Sequence, residues 1–315
     1  MARTRANHAE HHAALHYVDC VTDEVDASRR GPAAAYALTS AGWLFGMLVT
    51  ALVLWSPWLQ FGVYSPSGHL VLESVDACVA ILAAFLVFGR YLRRRWMTDL
   101  LLAEGLVLLA VGGLGMSTLA RVLPGTPSDG TVDIWLPLGL RVAGAALILG
   151  GALAWSRQTV GGLNRGWAIG APLVGAAGFV VVMALIGTQL PPAVTRPAPG
   201  EIVGVALVEH PLLILSHSLA AICLLTASVI FTVRSSREGD DLFRWLGPAC
   251  AVGGFARIHY ALFPTQYSDW LYTGDVLRTG FYLLLLVGAA TELTRYWTAT
   301  ARAAVLEDRA RLARG

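Results

Sequence analysis

Long apolar runs, separated by short polar segments, dominate the pattern of the chain. A membrane-spanning helix needs about 20 mostly apolar residues to cross about 30 Å of hydrocarbon. The connections between the runs carry turn-forming residues such as Pro-Gly and Pro-Pro. The pattern therefore predicts an all-α, polytopic membrane helix bundle with eight transmembrane helices. The predicted spans are residues 37–55, 70–88, 100–119, 135–154, 167–186, 211–233, 246–263 and 271–293.

The composition supports a membrane protein over a soluble one. Of the 315 residues, 56% are hydrophobic and only 14% are charged, whereas a soluble protein carries about 25% charged residues. Every basic residue is an arginine, which excludes mechanisms that need a lysine, such as a Schiff base or a P-loop. The four cysteines form no CxxC motif and are interpreted as small apolar residues.

The distribution of arginine predicts the orientation in the membrane. With the N-terminus placed in the cytoplasm, 18 of the 23 arginines fall in inside segments and two in outside loops. This asymmetry follows the positive-inside rule. We therefore expect both termini to lie in the cytoplasm, with the chain crossing the plasma membrane. The expected divisions are a disordered polar tail at 1–32, a transmembrane domain at 33–297 and a cytoplasmic helix at 298–315.

Ionisable and polar side chains inside the spans are expensive to bury, and each calls for a reason. Nearly all of them fall in the half of the bundle predicted to face outside. Glu104 is the main exception, and we expect it to lie within reach of an arginine in the 90–95 run. The candidate pocket residues are Glu73, Asp76, Arg141, His217, Arg257, His259, Tyr260, Tyr272, Asp275 and Arg278.

Two interpretations of these polar residues remain open. In the structural interpretation, three arginines pair with three acids and hold the helices in register. The arginines are Arg141, Arg257 and Arg278, and the acids are Glu73, Asp76 and Asp275. In the functional one, they form an outward-facing polar pocket for a ligand or a proton. A metal or haem site is a weaker alternative, in which His69, His210, His217 and His259 supply ligands together with Glu73 and Asp76. We otherwise expect no cofactor and no metal.

Enzyme signatures are missing from the sequence. It contains no GxSxG, HExxH or GxxxxGK[ST] motif. We therefore assign no catalytic residue and expect no nucleic-acid partner. The polar tail carries His8, His11, His12 and His16, whose spacing permits weak chelation of a metal ion if the tail is helical. In the fifth predicted span, Gly166, Gly170, Gly175 and Gly178 indicate close packing of helices.

The segment at 255–278, FARIHYALFPTQYSDWLYTGDVLR, resembles the last two spans of the polytopic sensor region of actinobacterial sensor histidine kinases. That group has the pattern FARL-Y-LFP-LYS-W-YTGD-LR. The segment AVLEDRARLAR at 304–314 resembles the helix before the phospho-acceptor box of the NarL-type class, with the pattern ERxRIARDLHDG. This second motif implies that the helix at 298–315 is a signalling helix. Its residues on the motif are Glu307, Arg309 and Arg311.

The resemblance implies a membrane-embedded sensory input domain of a two-component signal-transduction system. It covers the sensor and the connecting helix and stops before the phospho-acceptor histidine and the ATP-binding motifs. The chain as given is therefore expected not to be an enzyme. The implied partners are the lipid bilayer, a second copy in a homodimer, and a kinase output module or response regulator. A small-molecule or proton-coupled transporter and a membrane haem or metal protein are the alternative functions.

Overall fold

The computed structural model describes residues 33–56, 63–115, 132–154, 165–186, 189, 191, 210–263 and 270–312. These residues are almost entirely helical. The helices are α1 (Ala33–Trp55), α2 (Pro66–Arg94), α3 (Met97–Ala110), α4 (Val132–Leu153), α5 (Arg165–Ile186), α6 (Pro211–Glu238), α7 (Asp241–Leu262) and α8 (Thr273–Leu312). A π-helix at Val111–Gly115 continues α3.

Every predicted span overlaps one of these helices, and an all-helical fold with membrane-spanning character is confirmed. Five helices of the described chain are long and apolar enough to cross a membrane, namely α1, α2, α4, α6 and α8. The α-helical part of α3 has only 14 residues, about 21 Å of helix. The count of eight crossings and the orientation of the termini therefore stay predictions. The tail at 1–32 lies outside the described residues.

One feature of the fold was not predicted. Strand β1 (Val63–Tyr64) pairs antiparallel with β2 (Trp270–Leu271). These two-residue strands immediately precede α2 and α8. The pairing ties the starts of these two helices together at one end of the bundle, which is where the candidate site lies.

Local sequence signals explain where the helices begin and end. The Ser65 side chain accepts a hydrogen bond from the Gly68 amide, and Pro66 occupies the first helical position of α2. Only Gly239 and Asp240 separate α6 from α7. Gly239 ends α6 in the left-handed conformation that glycine adopts without strain. Asp240 then caps α7 by accepting from the amides of Leu242 and Phe243.

The helices pack as a bundle around a core of small and apolar side chains. α7 packs against α6 and α8, α2 packs against α3 and α8, and α4 packs against α3 and α6. Alanines such as Ala80, Ala220 and Ala227 are fully buried in the core. Large apolar side chains such as Phe85 and Leu215 are exposed on the outer surface. Such an apolar exterior is the surface that a lipid-facing bundle requires.

The glycines predicted to bring helices together in α5 do not do so within the described chain. A Cβ atom added at Gly170, Gly175 or Gly178 would meet nothing within 4 Å, and the side-chain environment of Gly166 is not described. Close approach occurs instead between Gly105 of α3 and Gly144 of α4. A Cβ on either glycine would lie 2.9 Å from the carbonyl oxygen of the other.

Candidate functional site

Arg278, near the start of α8, is the centre of a buried group of charges. Its Nε donates to Asp76 Oδ2 at 2.7 Å, and its terminal nitrogens lie 3.7 Å from Glu73 Oε1 and 3.5 Å from Asp275 Oδ1. Arg141 of α4 donates from Nη2 to Glu73 Oε1 at 2.9 Å. We call these five residues the Glu73 cluster. It joins α2, α4 and α8 by ion pairs in the protein interior.

Helical spacing places these side chains on shared faces of α2 and α8. Glu73 and Asp76 are three residues apart on α2, and Asp275 and Arg278 are three residues apart on α8. Side chains at this spacing share a helix face. The packing of α2 against α8 then brings the two faces together. All five residues of the cluster are buried, so each charge depends on its partners because little water reaches it.

Aromatic side chains form a wall on one side of the cluster. The Tyr260 hydroxyl donates to Asp275 Oδ1 at 2.7 Å, and the Tyr272 amide donates to Asp275 Oδ2 at 3.3 Å. The Tyr260 and Tyr272 rings meet edge to face with centroids 5.4 Å apart. The ring of His217 stacks on Tyr260 at 5.6 Å. The Arg257 guanidinium lies 5.3 Å from the centre of the same tyrosine ring, within range of a cation–π contact.

Two histidines lie at the edge of this arrangement. His259 Nε2 is 2.9 Å from Thr50 Oγ1 and its Nδ1 is 2.8 Å from Thr273 Oγ1, so this side chain links α1, α7 and α8. His69 lies one turn before Glu73 on α2, with Nε2 3.5 Å from Glu73 Oε1. These histidines hold helix ends together and border the charged cluster.

A small cavity lies inside the Glu73 cluster. Its volume is about 10 Å³, and it is lined by Glu73, Asp76, Ala77, Leu109, Gly113, Arg141, Arg278 and Tyr282. A volume of about 10–15 Å³ is what one water molecule needs. The cluster therefore has room for about one water molecule in this conformation, and none for a larger ligand.

The residues predicted for the pocket are thus brought together. Arg141 and Arg278 pair with the acids as the structural interpretation expects, and Arg257 contacts the Tyr260 ring. Among the described residues, no group of three or more His, Cys, Asp or Glu side chains is placed to hold a metal ion. On the signalling helix, Arg311 is exposed, and the side chains of Glu307 and Arg309 are outside the described part.

A second, partly buried charge cluster was missed by the sequence analysis. Arg90 of α2 donates from Nη1 to Asp240 Oδ1 at 2.9 Å, and its Nε lies 3.1 Å from Asp99 Oδ1. Arg94 lies 2.8 Å from Glu292 Oε1 and 3.2 Å from Asp240 Oδ2. We call these five residues the Arg90 cluster. It joins α2, α3 and α8 to the junction between α6 and α7.

The two aspartates of this cluster have opposite shifts in pKa. Burial and the negative charge of Asp240 raise the pKa of Asp99 to about 6, against the attraction of Arg90. Burial also opposes ionisation of Asp240, but hydrogen bonds and charge from Arg90 outweigh it and lower the pKa of Asp240. Arg90 therefore holds Asp240 as an anion more firmly than it holds Asp99.

Glu104, expected within reach of an arginine of the 90–95 run, forms no ion pair with these arginines among the described residues. Arg90 and Arg94 pair with Asp99, Asp240 and Glu292 instead, and Glu104 has no ion pair there. A sequence signal existed: Asp240 and Asp241 follow a helix-ending Gly239, and aspartates at a helix start cap the free amides. Which arginine they meet depends on how the helices pack.

The two clusters lie about five helical turns apart along α2 and α8. About 17 residues separate Glu73 from Arg90 on α2, and the same number separates Asp275 from Glu292 on α8. At 1.5 Å per residue this is about 25 Å. The interval is filled by the apolar core. Two layers of charge separated by nearly the thickness of a hydrocarbon core are what a membrane-embedded bundle would place near its two interfaces.

The fold and the buried charges give this chain the character of a helical membrane protein. No model of a known protein family, no curated protein and no solved structure matches it. The function is therefore argued from the two clusters and the helices that connect them.

Proposed function

We propose that the chain is a membrane-embedded sensory input domain, in which the Glu73 cluster receives the signal and α8 carries it to a cytoplasmic output. The observation that carries this proposal is the continuity of α8. One unbroken helix of 40 residues, Thr273–Leu312, contributes Asp275 and Arg278 to one cluster and Glu292 to the other. It then extends beyond the packed part of the bundle.

The transmission would be mechanical. A helix of 40 residues is about 60 Å long, and a packed helix moves as a unit between discrete arrangements. A signal that favours a different pairing of Arg278 with its three acids would change the rotation or height of α8. The change would reach the Arg90 cluster through Glu292. It would also reach the start of α7, because Arg295 of α8 forms an ion pair with Asp241. The equilibrium between two such packings is what a ligand biases.

The exposed end of α8 supports an output role. Trp297, Val305 and Leu312 are exposed there, and such apolar side chains suit contact with a second copy or with an attached module. The partners we propose are the lipid bilayer, a second copy of the chain, and a kinase output module or response regulator. The chain itself would supply no catalytic group, so it would act as the regulatory half of a two-component sensor histidine kinase.

The finer topology is part of the same proposal. Eight crossings with both termini in the cytoplasm would place the Arg90 cluster at the inner interface and the Glu73 cluster toward the outside. The arginine asymmetry and the separation of about 25 Å between the clusters support this arrangement. Reporter fusions after Arg95, Arg157 and Gly315 would test it. A reporter active in the cytoplasm should work at all three sites, and activity of an exported reporter at any of them would contradict the topology.

The functional test joins the chain after Gly315 to the phospho-acceptor and ATP-binding domains of a NarL-type kinase. We expect Asp275→Asn to change autophosphorylation in membrane vesicles several-fold, because it alters the pairing of Arg278. The matched control is Glu104→Gln, which removes a span carboxylate outside both clusters. Equal phosphorylation in the parent and in Asp275→Asn, with both inserted in the membrane, would contradict a sensory role.

The transporter alternative has less support. Transporters bind substrate where helices are discontinuous near the centre of the membrane. In the described residues, α2, α6 and α8 run without a break past the Glu73 cluster. Uptake of labelled solute into proteoliposomes would favour a transporter, and a visible absorption band in the purified protein would favour a haem protein.

A further inference from the structure

The size of the cavity beside Asp76 limits what it can bind. At about 10 Å³ it admits about one water molecule. Amino acids, sugars and hydrated metal ions are all larger than this space. A proton, delivered through a single water molecule, fits a space of this size.

Asp76 lies in the cavity wall and has one carboxylate oxygen that accepts no hydrogen bond. Its Oδ2 accepts from Arg278 Nε at 2.7 Å, whereas its Oδ1 is buried and has no hydrogen-bond partner in the described structure. Only 4% of Asp76 is exposed. The Thr279 hydroxyl lies within reach of the same carboxylate. A buried acceptor beside a water-sized space calls for a water molecule or a proton.

Neighbouring charge favours uptake of a proton at Asp76 over the other acids. Glu73 contacts two arginines, and Asp275 accepts hydrogen bonds from the Tyr260 hydroxyl and the Tyr272 amide. Asp76 accepts from Arg278 on Oδ2, whereas its Oδ1 accepts no hydrogen bond of normal geometry in the described structure. A proton there removes a buried negative charge at the least cost in lost contacts.

We propose that this cavity is a proton-binding site in which Asp76 Oδ1 takes up a proton from one bound water molecule. This inference rests on the proposed function, because it names the ligand of the Glu73 cluster. A hydronium ion in bulk water gives its proton to the bound water molecule, and that molecule passes a proton on to Oδ1. The carboxylate becomes a neutral carboxylic acid, and the bound water molecule is restored. No redox partner is needed. The signal would then be the proton concentration on the side of the membrane where α8 begins.

Other groups face Asp76 from each packed element. His69 and Glu73 do so from α2, Arg141 from α4, and Asp275, Arg278, Thr279 and Tyr282 from α8. α3 and its π-helix contribute Leu109 and Gly113 to the lining, neither of which titrates. Neutralising Asp76 leaves Arg278 with Glu73 and Asp275 as its charged partners. α8 would then shift toward whichever packing favours these two acids.

Infrared difference spectroscopy of the full chain in liposomes tests the site directly. On lowering the pH we expect the carbonyl stretch of a buried carboxylic acid to appear in the parent and to shift in D2O. The band should be missing in Asp76→Asn and kept in Glu104→Gln. An unchanged band in Asp76→Asn would overturn the proposal. If Asp76→Asn fails to fold, Asp76→Glu serves instead: a changed band frequency supports the site, and an identical frequency overturns it.

These experiments also distinguish a failure of the proton site from a failure of the proposed sensory function. If Asp275→Asn changes the output of the kinase fusion but no Asp76 band exists, the proton site fails and the sensor proposal stands. If the band exists but the output never responds to Asp275→Asn or Asp76→Asn, the sensory function fails and the proton site stands.

Discussion

The Tyr260 hydroxyl of α7 donates a 2.7 Å hydrogen bond to Asp275 Oδ1 of α8. Both residues are almost completely buried. This bond fixes the carboxylate that also lies against Arg278, so the tyrosine positions one of the three acids between which Arg278 is held. Its removal gives the simplest test of how tightly the cluster is constrained.

Tyr260→Phe should lower the free energy of unfolding by about 1–3 kcal/mol, because Asp275 loses a buried hydrogen-bond donor. Tyr91→Phe is the matched control. Tyr91 is equally buried, but its hydroxyl has no hydrogen-bond partner in the described structure, so this change should be neutral or stabilising. Unfolding by a denaturing detergent, followed by circular dichroism, measures both. Equal losses in the two variants would contradict the role assigned to Tyr260.

Arg278→Gln should be among the most damaging substitutions in the bundle. It leaves three acids around a neutral side chain, and removing one partner of a buried ion pair costs about 3–5 kcal/mol. Adding Asp76→Asn should restore part of the loss, because the double variant buries one uncompensated charge fewer. The same unfolding measurement gives the coupling between the two sites. Strictly additive losses would mean that the two side chains do not interact.

The Arg90 cluster offers a comparison of two arginines that bind adjacent aspartates. Arg90 is 1% exposed and binds Asp240, whereas Arg295 is 64% exposed on its side chain and binds Asp241. Arg90→Gln should destabilise by about 3 kcal/mol or more, and Arg295→Gln should have little effect because water screens an exposed pair. Thermal unfolding in detergent distinguishes the two. A larger effect from Arg295 would contradict the description of the buried cluster.

The raised pKa of Asp99 predicts that the stability of the protein depends on pH. It precedes the predicted third span, and burial with the charge of Asp240 raises its pKa to about 6, above the value of about 4 in an unfolded chain. The folded state therefore binds a proton more readily between these two pH values. The contribution of Asp99 to the free energy of unfolding, measured as the difference between the parent and Asp99→Asn, should grow as the pH is lowered from 7 to 5, by on the order of 1 kcal/mol.

Asp99→Asn should remove this pH-dependent contribution. The free energy of unfolding of the variant at pH 5 should not change by a matching amount. Asp240 contributes in the opposite sense, since its pKa is lowered. Its contribution is present above the unfolded value and is lost as the pH falls through the folded one, so it does not produce the rise between pH 7 and 5. An Asp99→Asn variant with the pH profile of the parent would show that another group is responsible.

The close approach of α3 and α4 can be tested at Gly144. A methyl group there would lie 2.9 Å from the backbone oxygen of Gly105, which cannot move without shifting a helix. Gly144→Ala should cost about 1–3 kcal/mol. Gly178→Ala is the control, because its Cβ would meet nothing within 4 Å; it should be neutral or slightly stabilising through helix propensity. Unfolding curves of the two variants that coincide would contradict the packing described.

The sequence by itself determined the helical elements and their membrane character. Apolar runs of about 20 residues fixed where helices lie, because backbone groups in hydrocarbon must pair within the segment. Caps such as Ser65 and Gly239 fixed where they begin and end. The spacing of Glu73 with Asp76 and of Asp275 with Arg278 already placed each pair on one helix face.

Only the tertiary structure decided which faces meet. That Arg278 lies among three acids, that Arg257 stands over the Tyr260 ring, and that Arg90 binds Asp99 and Asp240 all depend on contacts between helices. The β1–β2 pairing and the approach of Gly105 to Gly144 depend on the same packing. Periodicity within a helix gives the direction of a side chain but not its partner, because the partner is set by the packing of other helices.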